Sequence, residues 1–161
     1  TNTRGLPKAK TSGKAQAYII GLGLNDAGSE RHVDVGTVDD IGTDAQTYYG
    51  GMSKIVRELN AINPKAMIFI QTMPFAGNGS YNTAIRDIVE AYADTYNTHL
   101  LDLANYKSYY QEESVSDDAI NGHYTAIGYQ QFAKILCKVW SDYINSHITD
   151  FQNVHLIDYD E

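Results

Sequence analysis

What most constrains this chain is how its apolar residues are grouped. Ala17-Tyr18-Ile19-Ile20-Gly21-Leu22 and Ala66-Met67-Ile68-Phe69-Ile70 are short runs without polar alternation, and His99-Leu100-Leu101-Asp102-Leu103 is a shorter one. Such runs are what parallel strands covered on both faces look like. Between the first two, Tyr48, Tyr49, Met52, Ile55, Val56, Leu59 and Ile62 recur at helical steps until Asn63-Pro64 stops them, which predicts an amphipathic helix from Ala45 onward. A second helix, capped by Ser80 or Asn82, carries Ile85, Ile88, Val89, Tyr92 and Tyr96. A third, capped by Thr125, carries Tyr129, Phe132, Ala133, Leu136, Val139, Trp140, Tyr143 and Ile144. Strand and helix in alternation predict a three-layer α/β/α architecture around a parallel sheet.

The connections are uneven. The start of the chain is a polar lead, Asn25 to Asp44 reads as a long loop leaving the C-terminal end of the first strand, and Tyr106 to Asn121 is a polar stretch. Phe151 to Asp158 reads as a short strand or a linker. A first strand this apolar is expected to have neighbours on both sides, because at an edge it would present unpaired backbone beside exposed Ile and Leu. The sheet is therefore expected to be incomplete on its N-terminal side, with residues 1–147 forming the C-terminal portion of one domain and residues 148–161 an extension.

Composition narrows the function. With 43% hydrophobic residues the chain can bury a core, and its 12 Lys plus Arg against 20 Asp plus Glu give a net charge of -8. That balance argues against nucleic acid and anionic membrane as partners. No apolar run is long enough for a membrane span. Glu30, Asp34, Asp39, Asp40 and Asp44 crowd the first loop without EF-hand spacing, and His32, His99, His147 and His155 lack ligand spacing, so no metal or cofactor is expected. No Gly-rich phosphate loop follows a strand, which disfavours a nucleotide binder. The single cysteine, Cys137, is expected to pack within its helix. The acidic, tyrosine-rich, cysteine-poor composition is compatible with an extracellular or virion-borne domain.

Two segments carry chemistry. The first strand runs into Gly23-Leu24-Asn25-Asp26, and the last helix is entered through Asn121-Gly122-His123-Tyr124-Thr125. Strand ends and helix mouths of this kind are where open α/β sheets place their sites. In these residues the sequence resembles the SGNH, or GDSL-type, hydrolase family, whose third block is Gly-x-Asn-Asp and whose fifth ends in a catalytic histidine before a helix. The likeness covers Ala17 to Tyr143, with Met67 to Gln71 leading into Thr72-Met73-Pro74 as a further family-like feature.

The resemblance implies a flavodoxin-like parallel sheet and a serine ester hydrolase. It implies Asn25 as an oxyanion-hole donor, His123 as general base and acid, and Gly23 as the residue of close approach. Asp26 belongs to the substrate-side turn, more as its brace than as a contact. Phe75 and Tyr81, in or beside the loop after the second strand, are the aromatic residues expected near substrate; most other tyrosines fall on helical apolar stripes and are expected in the core. The family's Gly-Asp-Ser block is absent from the sequence, and neither Gly5 nor Gly13 suits the second block's glycine. The nucleophile is thus expected on an N-terminal segment of the same domain that acts as a partner of this chain. Where the family has an Asp three residues before its histidine stands Ile120, so Asp118, Asp117 or a backbone carbonyl is left to orient His123.

The substrate implied is a small-molecule or carbohydrate ester carrying a short acyl group, acetyl in the narrower form. The alternative is a noncatalytic binding or structural module that keeps the fold without its serine. A Gly-Asp-Ser block upstream of Thr1 in the natural polypeptide would separate the two.

Overall fold

The computed structural model describes residues 5–28, 32–73, 79–106, 119–120 and 123–151. The chain forms two compact units, residues 1–107 and 108–161.

In the first unit β1 (Ala17–Ile20), β2 (Met67–Gln71) and β3 (Thr98–Leu101) form a parallel sheet in the order β1-β2-β3, with Ile20 opposite Ile70 and Ile70 opposite Leu100. It is an α/β unit, as the alternation of runs predicted, with the sheet flanked by α1 (Gly5–Thr11), α3 (Tyr48–Ile62) and α4 (Gly79–Tyr96). α2 (Leu24–Ala27) is one turn at the end of β1. The core joins Ile20, Ile68 and Ile70 from the strands to Met52, Val56 and Leu59 of α3 and Ile85, Ile88 and Tyr92 of α4. Burying these side chains drives the packing, at roughly 1.5–3 kcal/mol for each large one.

The start of α3 shows how the long loop is tied down. The Thr47 hydroxyl accepts from the Gly50 amide, while the amides of Tyr48 and Tyr49 donate to the carbonyls of Asp34 and Val35. Helix-start donors that would otherwise lack partners are thereby satisfied by the loop itself. The Asp40 carboxylate takes the Thr37 amide and the Thr47 hydroxyl, each at 3.0 Å.

Several expectations need correction. The polar lead contains α1, whose Leu6 and Ala9 lie three residues apart and pack against the core from one side of the helix. The first loop is not featureless, since it contains α2 and a 3-10 turn at Val38–Asp40. Asn82 is not a cap: α4 starts at Gly79, and Asn82 lies inside it, buried. Among the described residues β1 pairs only with β2, and its Ile19 is 58% exposed.

In the second unit β4 (Ala119–Ile120) pairs antiparallel with β5 (His123–Tyr124), Ile120 standing opposite His123. The two intervening residues are Asn121-Gly122, the dipeptide that most favours a tight hairpin. α5 (Ala126–Ser146) follows, capped by the Thr125 hydroxyl, which accepts from the Gly128 amide at 3.2 Å, and α6 (Ile148–Phe151) comes after it. The buried residues of α5 are Gly128, Ile135 and Val139, a stripe shifted from the expected one. Cys137 is off that stripe and exposed, correcting its assignment to packing. Among the described residues no helix is long and apolar enough to cross a membrane.

Candidate active site

The turn after β1 is built around Gly23. Its φ of +129° is unfavourable for any residue with a side chain, and an added Cβ would stand 2.6 Å from the Tyr48 hydroxyl and 3.1 Å from the end of Met73. Glycine is thus required twice over, by conformation and by space. Tyr48 in turn donates its hydroxyl to the Leu22 carbonyl at 2.9 Å, fixing the chain just before the turn.

Asn25 follows in α2 and is exposed, in a turn whose backbone is held by neighbouring elements. The Asp26 carbonyl accepts from the Val33 amide at 3.0 Å and from the Tyr81 hydroxyl at 3.0 Å. Tyr81 also reaches the Val33 carbonyl at 2.6 Å, and its oxygen lies 3.3 Å from His32 Nδ1. The Tyr48 and Tyr81 rings meet edge to face, 5.0 Å between centroids. Burial, with the negative charge of Asp26 behind it, raises the pKa of both phenols above the ordinary tyrosine value. Both therefore stay protonated and remain hydrogen-bond donors.

The end of β2 lies beside this turn, because Met73 fills the space next to Gly23. Its backbone is gripped by Asn82, whose Oδ1 accepts from the Met73 amide at 2.7 Å and whose Nδ2 donates to the Met73 carbonyl at 2.8 Å. One residue earlier, Thr72 donates its hydroxyl to Asp102 at 2.9 Å and accepts from the Ala104 amide at 2.9 Å, while Arg86 holds the same carboxylate through two nitrogens. The C-terminal ends of β2 and β3 are thereby locked together.

The expected site residues fall out as follows. Gly23 and Asn25 occupy one turn, and Asp26 braces it through its backbone carbonyl. Tyr81 departs from expectation: at 4% exposure, with its hydroxyl engaged by two carbonyls, it supports the turn from inside rather than facing a substrate. Phe75 and Asp118 lie outside the described residues, as does the His123 side chain, although its backbone is placed on β5 directly before α5. Tyr48, Asn82, Thr72 and Asp102 were missed. Asn82 carried a signal, since it stands three residues before Ile85 on the apolar stripe, where a polar side chain must find partners. Among the described serines, Ser53 is fully buried and donates its hydroxyl to the Gly50 carbonyl, an arrangement that suits helix packing and not nucleophilic attack.

Over residues 2–131 the sequence matches the GDSL-like Lipase/Acylhydrolase family. The chain belongs to this family. The GDSL-like match runs through both the Gly23–Asp26 turn and the His123 hairpin, and the family assigns the chain to acyl-ester hydrolysis in general. Neither the curated proteins nor the solved structures contain a match.

Proposed function

We propose that this chain is the greater part of a serine ester hydrolase that removes short acyl groups, acetyl from carbohydrate in the narrower form. The observation that carries the reading is the Gly23–Asp26 turn: a glycine at positive φ, an exposed Asn25 and a backbone anchored on both sides, within a chain of the GDSL-like family. A neutral amide carried on an anchored turn at a strand end suits stabilisation of a tetrahedral oxyanion, because such a donor needs little reorganisation as charge develops. His123 takes the proton of the attacking serine and returns it to the leaving alcohol, with Asp118 as its orienting partner. Phe75 flanks the substrate.

The serine comes from a preceding segment of the same domain, whose strand pairs with the edge of β1 that has no neighbour among the described residues. That edge supports the reading. Beside it lies a cavity of about 250 Å³ lined by Leu6, Ala9, Tyr18, Ile19, Leu22 and Ile55, an apolar trough suited to the side chains of an added strand. Residues 1–147 then belong to one domain with that segment.

The test is p-nitrophenyl acetate turnover by the complete natural polypeptide. His123→Ala is expected to abolish it, and a serine-directed organophosphonate is expected to block it. Full activity in His123→Ala would remove the mechanism, and no activity on this or carbohydrate acetyl esters would favour a noncatalytic module.

A further inference from the structure

We propose that Tyr81 is a positioning residue for Asn25, acting through the backbone of the turn; the inference rests on the reading of Asn25 as an oxyanion donor. α2 is a single turn of four residues, too short to hold its own pose, since one turn of helix is unstable without outside support. Its internal ties are the Ala27 amide on the Gly23 carbonyl at 2.9 Å and the Gly28 amide on the Asn25 carbonyl at 3.3 Å. The remaining constraints come from outside, and two are tyrosine hydroxyls. Tyr48 of α3 holds the Leu22 carbonyl ahead of Asn25, and Tyr81 of α4 holds the Asp26 carbonyl after it. Asn25 thus sits between two pinned carbonyls.

Of the two, Tyr81 carries more of the geometry. Its hydroxyl reaches both Asp26 and Val33, so it joins the outgoing strand of the loop to the returning one, and the Val33 amide closes the same link by donating to Asp26. A phenol has one proton to share between two carbonyls, and His32 Nδ1 lies 3.3 Å from the same oxygen. Removing the oxygen leaves the ring contact with Tyr48 and the Val33 amide on Asp26 but takes away both hydroxyl bonds, so the turn that carries Asn25 is held less firmly. An oxyanion donor is sensitive to such a change, because a displacement of about 1 Å costs as much as a hundredfold in rate.

The experiment is a double-mutant cycle in the complete polypeptide with Tyr81→Phe, Asn25→Ala and both together, measured as kcat and KM for p-nitrophenyl acetate. Tyr81→Phe should lower kcat roughly tenfold with KM nearly unchanged, and Asn25→Ala should lower it about a hundredfold or more. The double variant should be no slower than Asn25→Ala alone, since a residue that acts only through Asn25 has nothing left to position. Multiplicative losses would overturn the proposal while leaving Asn25 as a donor; full activity in Asn25→Ala would instead overturn the functional reading on which it rests. Amide exchange at Val33 gives a readout independent of turnover: faster exchange in Tyr81→Phe is expected, and unchanged protection would overturn the link.

Discussion

A Cβ placed on Gly23 would come within 2.6 Å of the Tyr48 hydroxyl, and that same hydroxyl donates to the Leu22 carbonyl one residue earlier. The pair therefore fixes both the conformation and the location of the turn. Gly23→Ala should destabilise the protein by about 1–3 kcal/mol through the positive φ, with the clash adding to it. Adding Tyr48→Phe should return part of that loss by removing the clashing oxygen, but not the part due to backbone strain. Urea unfolding of the single and double variants would measure both, and a Gly23→Ala protein as stable as the wild type would contradict the described turn.

Asn82 should be among the least replaceable polar residues of the first unit. Asn82→Ala leaves the buried Met73 amide and carbonyl without their partners, for an expected loss of roughly 2–4 kcal/mol. Asn82→Asp should not rescue it, since a carboxylate accepts from the amide but offers no donor to the carbonyl. A change below about 0.5 kcal/mol in either variant, within the range of ordinary surface substitutions, would refute the clamp.

The Thr72, Asp102 and Arg86 cluster should show a graded response. Thr72 is 1% exposed and bonds on both sides, so Thr72→Val is expected to cost about 1–3 kcal/mol. Arg86→Ala should cost less than about 1 kcal/mol, because its side chain is 37% exposed and solvent screens its pairing with Asp102. Thermal unfolding at two salt concentrations would check the order, and a larger loss at Arg86 than at Thr72 would reverse it.

Alkaline pH should unfold the protein through its tyrosines. Burial and the Asp87 carboxylate push Tyr49 up to about 12, and burial does the same for Tyr124 and Tyr143. In the unfolded chain these phenols titrate near about 10. A folded value above the unfolded one means that the stabilisation is fully present below pH about 10 and is lost as pH rises toward about 12. Phenolate absorbance should thus rise in two phases, the later one coinciding with loss of far-ultraviolet circular dichroism. A single phase near pH 10 with the fold intact would contradict the burial of these hydroxyls.

The order of strands and helices was legible because burial imposes a period: Val56 and Leu59, or Ile85 and Ile88, repeat on the face that meets the sheet. Gly23 and Asn25 were legible as a turn at a strand end. What periodicity could not show was the partner of each polar group. Asn82 looks like a cap because Asn is a good one, yet tertiary packing placed it inside α4 with the Met73 backbone as its partner. Tyr81 looks like a substrate contact because it follows a loop, yet its hydroxyl serves carbonyls distant in sequence. The hairpin was overlooked although Asn121-Gly122 announces it, since strands of two residues leave no period to read.

The proposed function requires Asn25 and His123, which belong to separate compact units, to serve one acyl-transfer site. The most direct measurement is a crystal structure of the complete polypeptide inactivated by a serine-directed organophosphonate. The expected result is a phosphonylated serine on the strand paired with β1, its phosphoryl oxygen about 3 Å from the Asn25 side-chain amide and the His123 imidazole beside the serine oxygen. An adduct whose oxygen meets other donors, with Asn25 or His123 turned away from it, would contradict the account.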